Sequence, residues 1–468
     1  MISTLRQFPL RFLGAGTVLS LLLLTFLVFG RGSSYGFGGG QSWGYTLKSP
    51  STTCSESEPY PDITNTTQAD PSQGTWTFDP HRDANNHALS HSQCQSAFPK
   101  LYTSIDRTAN TLFQKNKLIT YEQIDTLHKA GGVDGNGNGL IRGAIIKGQL
   151  HIIDFGPQPY TFSRGKATLH ALNRALVADP EKKTLPDVEF VLSTDDFTPV
   201  GMGPVWSYSK RVLSEEGEGE EEGNDSNVWL MPDFGYWSWP EVKVGSYMDI
   251  RARIASVDSD EAVKEGTGIQ FHDKKKQLLW RGSVTSNADI RSSLLTTTRG
   301  KSWSSTREIN WDDPESTKTD VVPMEDHCAY QFLAHTEGRS FSGKGKYLLN
   351  CRSVIISHKL EWEEMHHSAL ISSGPDANYV QVERDWSDLE RKIEHLLDNP
   401  EVAERIADNA VRTFRDRYLT PAAESCFWRH LVRRYGDVSE FEPVLEEVVK
   451  GRGKVKRGVS FDDWVLGF

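Results

Sequence analysis

The sequence predicts an α/β protein with mostly parallel sheets, arranged as two domains with a cleft between them. Three observations predict it. Short apolar strands alternate with helical segments through most of the chain, the pattern of βαβ units. A length of 468 residues suits about two domains. The apolar run Val188 to Ser193 leads into an acidic pair, Asp195 and Asp196, and ligands of open α/β sheets bind just outside the carboxyl ends of strands.

The N-terminus comes before this alternation. Phe12 to Gly30 is uncharged, with Arg6 and Arg11 before it and Arg31 after. At about 1.5 Å per residue it covers roughly 28 Å, close to the hydrocarbon thickness of a bilayer. A cleaved signal would have a shorter apolar region and a small-residue cleavage site, and nothing of that form follows Phe29. The expectation is a signal anchor at 12–30, a cytosolic tail at 1–11 and a lumenal body. Residues 31–75 are rich in Gly, Ser, Thr and Pro, so a flexible stem is expected over 31–90. Asn65 and Asn224 head glycosylation sequons, which a secretory lumen permits. Five cysteines (Cys54, Cys94, Cys328, Cys351 and Cys426) most simply make two disulfides and one leftover there. The chain ends Trp-Val-Leu-Gly-Phe without a KDEL-like address, which favours the Golgi membrane.

In the body, Gln149 to Phe155 reads as a strand, and Lys166 to Ala178 as a helix with Leu169, Leu172 and Leu176 on one side. Val188 to Ser193, Gln277 to Trp280, Ser353 to Ser357 and Tyr379 to Val382 read as further strands, and a helix begins near Asn287. Two helices close the pattern, Pro400 to Arg417 and Pro421 to Tyr435, each with proline in its first turn. Ser214 to Asn227 is an acidic low-complexity run and reads as a solvated insertion. The expected division is an N-terminal domain over 91–270, a second over 271–436 and a tail over 437–468. Lysine and arginine total 52 against 63 acidic residues, a net charge of −11, which argues against a nucleic-acid surface.

Several stretches invite chemical readings. Asp134 to Ile145 starts like a calcium-binding loop but has Ile145 where a bidentate glutamate belongs, so it reads as a glycine-rich turn. Asp258-Ser259-Asp260 has the form of a D-x-D metal motif without the apolar strand that should precede it. Asp195 or Asp196 can act as a general base or can merely cap a turn. Trp280-Arg281-Gly282-Ser283-Val284-Thr285-Ser286 is a strand end and glycine turn before a helix carrying Arg291, a form that suits an anion or an ordinary turn. Gly338 to Gly345 (GRSFSGKG) is one residue short of a P-loop. Gly345 stands where a metal-ligating hydroxyl is required, while Ser342, Lys344 and Lys346 still suit a diphosphate. No metal site is expected.

Together these residues resemble glycosyltransferase family 90, which includes fungal capsule-associated xylosyltransferases and animal protein O-glucosyltransferases. The matching text is FVLSTDDF (190–197), PDFGYWSWPE (232–241), LLWRGSVTS (278–286), DHCAYQFL (326–333), the glycine stretch, EW (361–362) and residues 378–410, and it covers 130–436. PDFGYWSWPE is similar to the fungal branch. The resemblance implies a GT-B-type fold of two Rossmann-like domains, with the UDP-sugar donor held by the C-terminal one and the acceptor by the N-terminal one. It implies inverting transfer to a glycan or glycoprotein with no metal or other cofactor. Asp196 matches the family's base, with Asp195 beside it. Arg281, Gly282, Ser283, Thr285, Ser286 and Arg291 fall in the donor-binding turn, and Glu361 in the EW element is placed with them. Lys344 stands where the animal relatives carry a phosphate-binding arginine, which keeps the charge without the bidentate fork. The resemblance also supports pairing Cys328 with Cys351, leaving Cys94 with Cys426 as the second bridge. Two rivals remain: a P-loop phosphotransferase, and a sugar-nucleotide-binding protein of this fold without turnover.

Overall fold

Unbroken apolar runs form strands covered on both faces. All six residues of Val188–Ser193 and all five of Val354–His358 are buried. The computed structural model describes residues 76–467 except 131–138, 198–202, 213–226, Pro240, Lys243 and Lys450. The expected anchor, both sequons, Cys54 and nearly all of the acidic run lie outside the described residues. Among the described residues, no helix is long and apolar enough to cross a membrane.

The first sheet contains β1 (Leu140–Ile146), β2 (Gln149–Gly156), β3 (Val188–Ser193), β4 (Val205–Ser207) and β5 (Val228–Leu230). The second contains β6 (Lys275–Gly282), β7 (Ser304–Glu308), β8 (Tyr330–His335), β9 (Val354–His358) and β10 (Val380–Val382). A last short strand, β11 (Val459–Ser460), pairs with β2, so the first sheet runs β11-β2-β1-β3-β4-β5.

The second sheet meets the expectation of parallel pairing at every step, in the order β7-β6-β8-β9-β10. The first is mixed. Lys147 and Gly148, with φ of 52° and 72°, form a two-residue turn of the kind that closes hairpins, so β1 and β2 are antiparallel. β1 also meets β3 antiparallel, and only β3-β4-β5 are parallel. A two-stranded ribbon, Lys210–Arg211 with Trp362–Glu363, joins the two halves.

Three boundaries differ from the sequence reading. Order begins before residue 90: Asp79 caps the helix Pro80–Asp83, and Leu89 is fully buried. The helix Pro421–Asp437, expected to end the second domain, packs on the helices Phe162–Val177 and Thr103–Gln114 of the first half. The Cys94–Cys426 disulfide ties it to the helix His91–Ala97. The segment 437–468 contains the edge strand β11, and the Arg457 guanidinium donates to the Glu189 carboxylate at 2.7 Å. Short polar stretches hide such an edge strand, because its burial comes from the sheet it joins.

Candidate active site

A parallel sheet in which β7 lies on one side of β6 and β8 on the other changes direction between β6 and β8. Ligands bind at the carboxyl ends of the strands at such a switch point. Here those ends are Trp280-Arg281-Gly282 and His335-Thr336-Glu337. The Trp280 indole N–H donates to Thr336 Oγ1 at 3.1 Å and ties the two strand ends together.

The two glycine turns meet at this point. Asn287 Nδ2 donates to the Gly338 carbonyl at 3.0 Å, and a Cβ on Gly338 would lie 3.4 Å from Arg291 Nη2. Ser283 caps the short turn Val284–Ser286 that precedes the helix Ala288–Thr298. Its hydroxyl lies 2.9 Å from that of Thr285, on the exposed side. The Ser342 carbonyl accepts from the Gly345 N–H at 2.9 Å and turns the loop.

Three cations collect here. The Lys344 ammonium donates to the Arg281 carbonyl. Arg291 donates to the carbonyls of Glu337 at 3.0 Å and Ser283 at 2.7 Å. Arg281 donates to the Trp280 carbonyl at 2.8 Å and to Ser305. All three use backbone oxygens, and among the described residues none has a carboxylate at ion-pair distance. Burial, reinforced by Arg291 and Arg281, pulls the Lys344 ammonium down to about 7. Burial alone pulls Arg291 to about 10 and is the main cause of the lowering at Arg281. Cations depressed in this way are short of a negative neighbour.

Gly345 explains the broken P-loop pattern. A Cβ there would lie 2.6 Å from Cε1 of the His335 ring, so the space a serine or threonine needs is filled by an imidazole.

Asp196 closes the site from the other half. Its carbonyl accepts from the Ser340 hydroxyl of the glycine loop. Its carboxylate, 41% exposed, pairs with Arg164 at 2.7 Å, and that guanidinium lies 4.7 Å from the centre of the Phe234 ring. Asp195 accepts from the Tyr160 hydroxyl at 3.1 Å and packs on Gly139, whose φ is +94°. Both acids stand at the end of β3; Asp196 is the one bonded to the loop.

Glu361 stands at the carboxyl edge of the same sheet, 45% exposed, and pairs with Arg384 at 2.9 Å. Its N–H donates to the buried carboxylate of Glu337, which also takes the Trp362 N–H and Arg384. Lys346, in contrast, is turned away from the exposed side of the loop. Its ammonium is fully buried on Asp233 at 2.8 Å and the Gly343 carbonyl at 2.7 Å. Asp258 of the D-x-D is likewise buried, on Lys274 at 2.6 Å. Cys328 and Cys351 are bridged, tying the DHC segment to the chain just after the helix Gly345–Leu348.

The sequence reading missed Arg164, the Ser340 contact and His327. His327 donates from Nδ1–H to the Pro323 carbonyl at 2.8 Å. Burial, with Lys344 and Arg281 nearby, holds this imidazole neutral, down to about 3. Its one sequence signal was its place in DHC, next to a cysteine.

The family model for glycosyl transferase family 90 matches residues 135–454. An O-glucosyltransferase rumi homolog of Aedes aegypti is 27% identical over 56% of this chain and 64% of its own length. O-glucosyltransferase rumi of Drosophila melanogaster is 26% identical over 57% and 64%, and human Protein O-glucosyltransferase 1 is 24% identical over 54% and 62%. The chain thus spans somewhat under two thirds of these relatives. Among solved structures, Anabaena HepE in complex with UDP aligns over 46% of this chain and 68% of its own, at 9% identity and a TM-score of 0.25. The match over 135–454 decides the affiliation: the chain belongs to glycosyl transferase family 90.

Proposed function

We propose that the protein is an inverting glycosyltransferase of GT-B architecture that moves a sugar, glucose or xylose, from a UDP-sugar to a hydroxyl of a glycan or glycoprotein. The observation that carries this reading is the cation trio Arg281, Arg291 and Lys344. Among the described residues it sits without a carboxylate partner at the switch point of a parallel sheet, and Ser340 of the same loop is bonded to Asp196. Family membership supports sugar transfer, and the relatives, which are O-glucosyltransferases, favour glucose.

In this mechanism the sugar–phosphate bond breaks with its electron pair going to the leaving diphosphate. Lys344 and the two arginines stabilise the charge where it develops. On the opposite face of the sugar, the acceptor oxygen forms the new bond and gives its proton to Asp196. Attack opposite the leaving group inverts the anomeric centre, as in single-displacement glycoside hydrolysis. Arg164 orients the Asp196 carboxylate, and Glu361 would meet the ribose hydroxyls. The diphosphate charge is met by side chains, so the transfer step uses no metal. The body would work in the Golgi lumen behind the 12–30 anchor, a reading supported by the two disulfides.

The test is UDP release from UDP-glucose and UDP-xylose by the purified protein, with and without glycan acceptors, beside UDP binding by calorimetry. Neither binding nor release would remove the reading. Binding without release under any acceptor would leave a sugar-nucleotide-binding protein.

A further inference from the structure

Directly behind the glycine loop, against Gly345, lies a group of side chains that the transfer reaction does not use. His335 ends β8; Glu364 and His367 follow the ribbon strand Trp362–Glu363. His335 is 6% exposed and Glu364 3%, and the His367 side chain is 9% exposed. One ligand atom from each lies within 4.8 Å of the others. We propose that His335, Glu364 and His367 form a buried site for one divalent transition-metal ion, zinc by its ligand set.

Three observations carry it. First, the polar atoms lack partners where partners are most needed. Both Glu364 carboxylate oxygens and His335 Nδ1 are buried without a hydrogen bond, a costly state in a protein interior. Lys346 does not relieve it, being held by Asp233. Second, His367 Nε2 and Glu364 Oε2 stand 3.3 Å apart as a buried ion pair, and although burial opposes it, that pair holds the imidazole's pKa up. With zinc–ligand bonds of about 2.0–2.1 Å, one edge of a tetrahedral site is about 3.3 Å. Third, the other nitrogen of His367 has a backbone partner: in the tautomer that leaves the Nε2 lone pair free, Nδ1–H donates to the Trp362 carbonyl at 3.2 Å. Such an outer contact orients a metal-binding imidazole and leaves Nε2 facing inward.

Two imidazoles and one carboxylate suit zinc. The ion would clamp the end of β8 to the 362–367 segment and support the loop that presents Lys344. Its ligands are positioning residues, and the inference stands whether or not UDP proves to be the donor nucleotide.

The full-length protein, purified without chelator or added metal, should contain about one zinc per chain. Zinc-edge X-ray absorption should report nitrogen and oxygen ligands at about 2.0–2.1 Å with no sulfur. A His335→Gln, His367→Gln double variant should lose the ion, and zinc returned to chelator-stripped wild type should raise Tm. Three results would overturn the site: stripped wild type that takes up no zinc in calorimetry, an absorption shell of sulfur or of oxygen alone, or wild-type zinc content in the double variant. If that variant does not fold, the absorption and calorimetry on wild type decide.

Discussion

The two strand mouths that face the site are charged in opposite senses and completed in different ways. At the end of β3 each acid has its own protein partner: Arg164 holds Asp196, and the Tyr160 hydroxyl holds Asp195. At the ends of β6 and β8, Arg281, Arg291 and Lys344 donate to backbone carbonyls and, from Arg281, to the Ser305 hydroxyl, and none pairs with a carboxylate among the described residues. The acidic mouth has a polar or cationic partner for each acid; the basic one has no counter-charge among the described residues. A pair of lysines repeats the contrast within one loop. Lys346 is sealed on Asp233, whereas Lys344, two residues earlier, is depressed to about 7. Charge in a loop therefore marks a binding site only where the fold withholds a counter-charge.

The strongest way to break the comparison is at Asp196. Asp196→Asn keeps the shape of the acidic mouth and removes proton acceptance, so transfer should fall by about 10²-fold or more. UDP affinity should stay as in wild type. Near wild-type transfer would move the role of base to Asp195. The second effect is on folding: Lys346→Met leaves Asp233 buried without its cation and should cost about 3–5 kcal/mol, read as a lower denaturation midpoint. An unchanged midpoint would show that this lysine is not the internal ion pair described above.

Lys344→Ala should weaken UDP by roughly 10- to 100-fold, the worth of about one charge-assisted bond, with little change in stability. Lys344→Arg should keep most of the affinity, because it keeps the charge. Wild-type affinity in Lys344→Ala would reduce the glycine loop to an ordinary turn. The smallest effect sharpens the comparison through pH. In the unliganded protein Lys344 loses its proton near pH 7 instead of near 10.5. A bound diphosphate favours the charged form, so UDP binding should take up a proton above pH 7, and affinity should decline as pH rises. The unfolded chain binds the extra proton between about pH 7 and 10.5, so the stability of the free protein should rise with pH in that window. Calorimetry in buffers of different ionisation enthalpy reads the uptake, and Lys344→Arg should abolish it.

Much of this arrangement was legible from local pattern alone. Val188 to Ser193 announced a buried strand with acids at its end, and the two glycine motifs announced the turns that meet at the strand ends. These features were readable because periodicity, proline and glycine act over a few residues. The Lys147-Gly148 turn was equally local evidence for an antiparallel hairpin, and the expectation of mostly parallel strands passed over it. What no local pattern contains is which residues meet across the fold. Ser340 and Asp196 are 144 positions apart, and Arg164 comes from a helix that carries no motif. Lys344 and Lys346 look alike in the chain; only Asp233, brought in by distant packing, tells them apart. The glycine at 345 has the same origin, since the ring that forbids a side chain there belongs to His335. The sequence by itself determined the strands, the turns and the kinds of charge beside them, because those follow from backbone preference and burial periodicity. Tertiary structure alone decided which charges are neutralised and which are not, because neutralisation depends on neighbours that the chain supplies from far away.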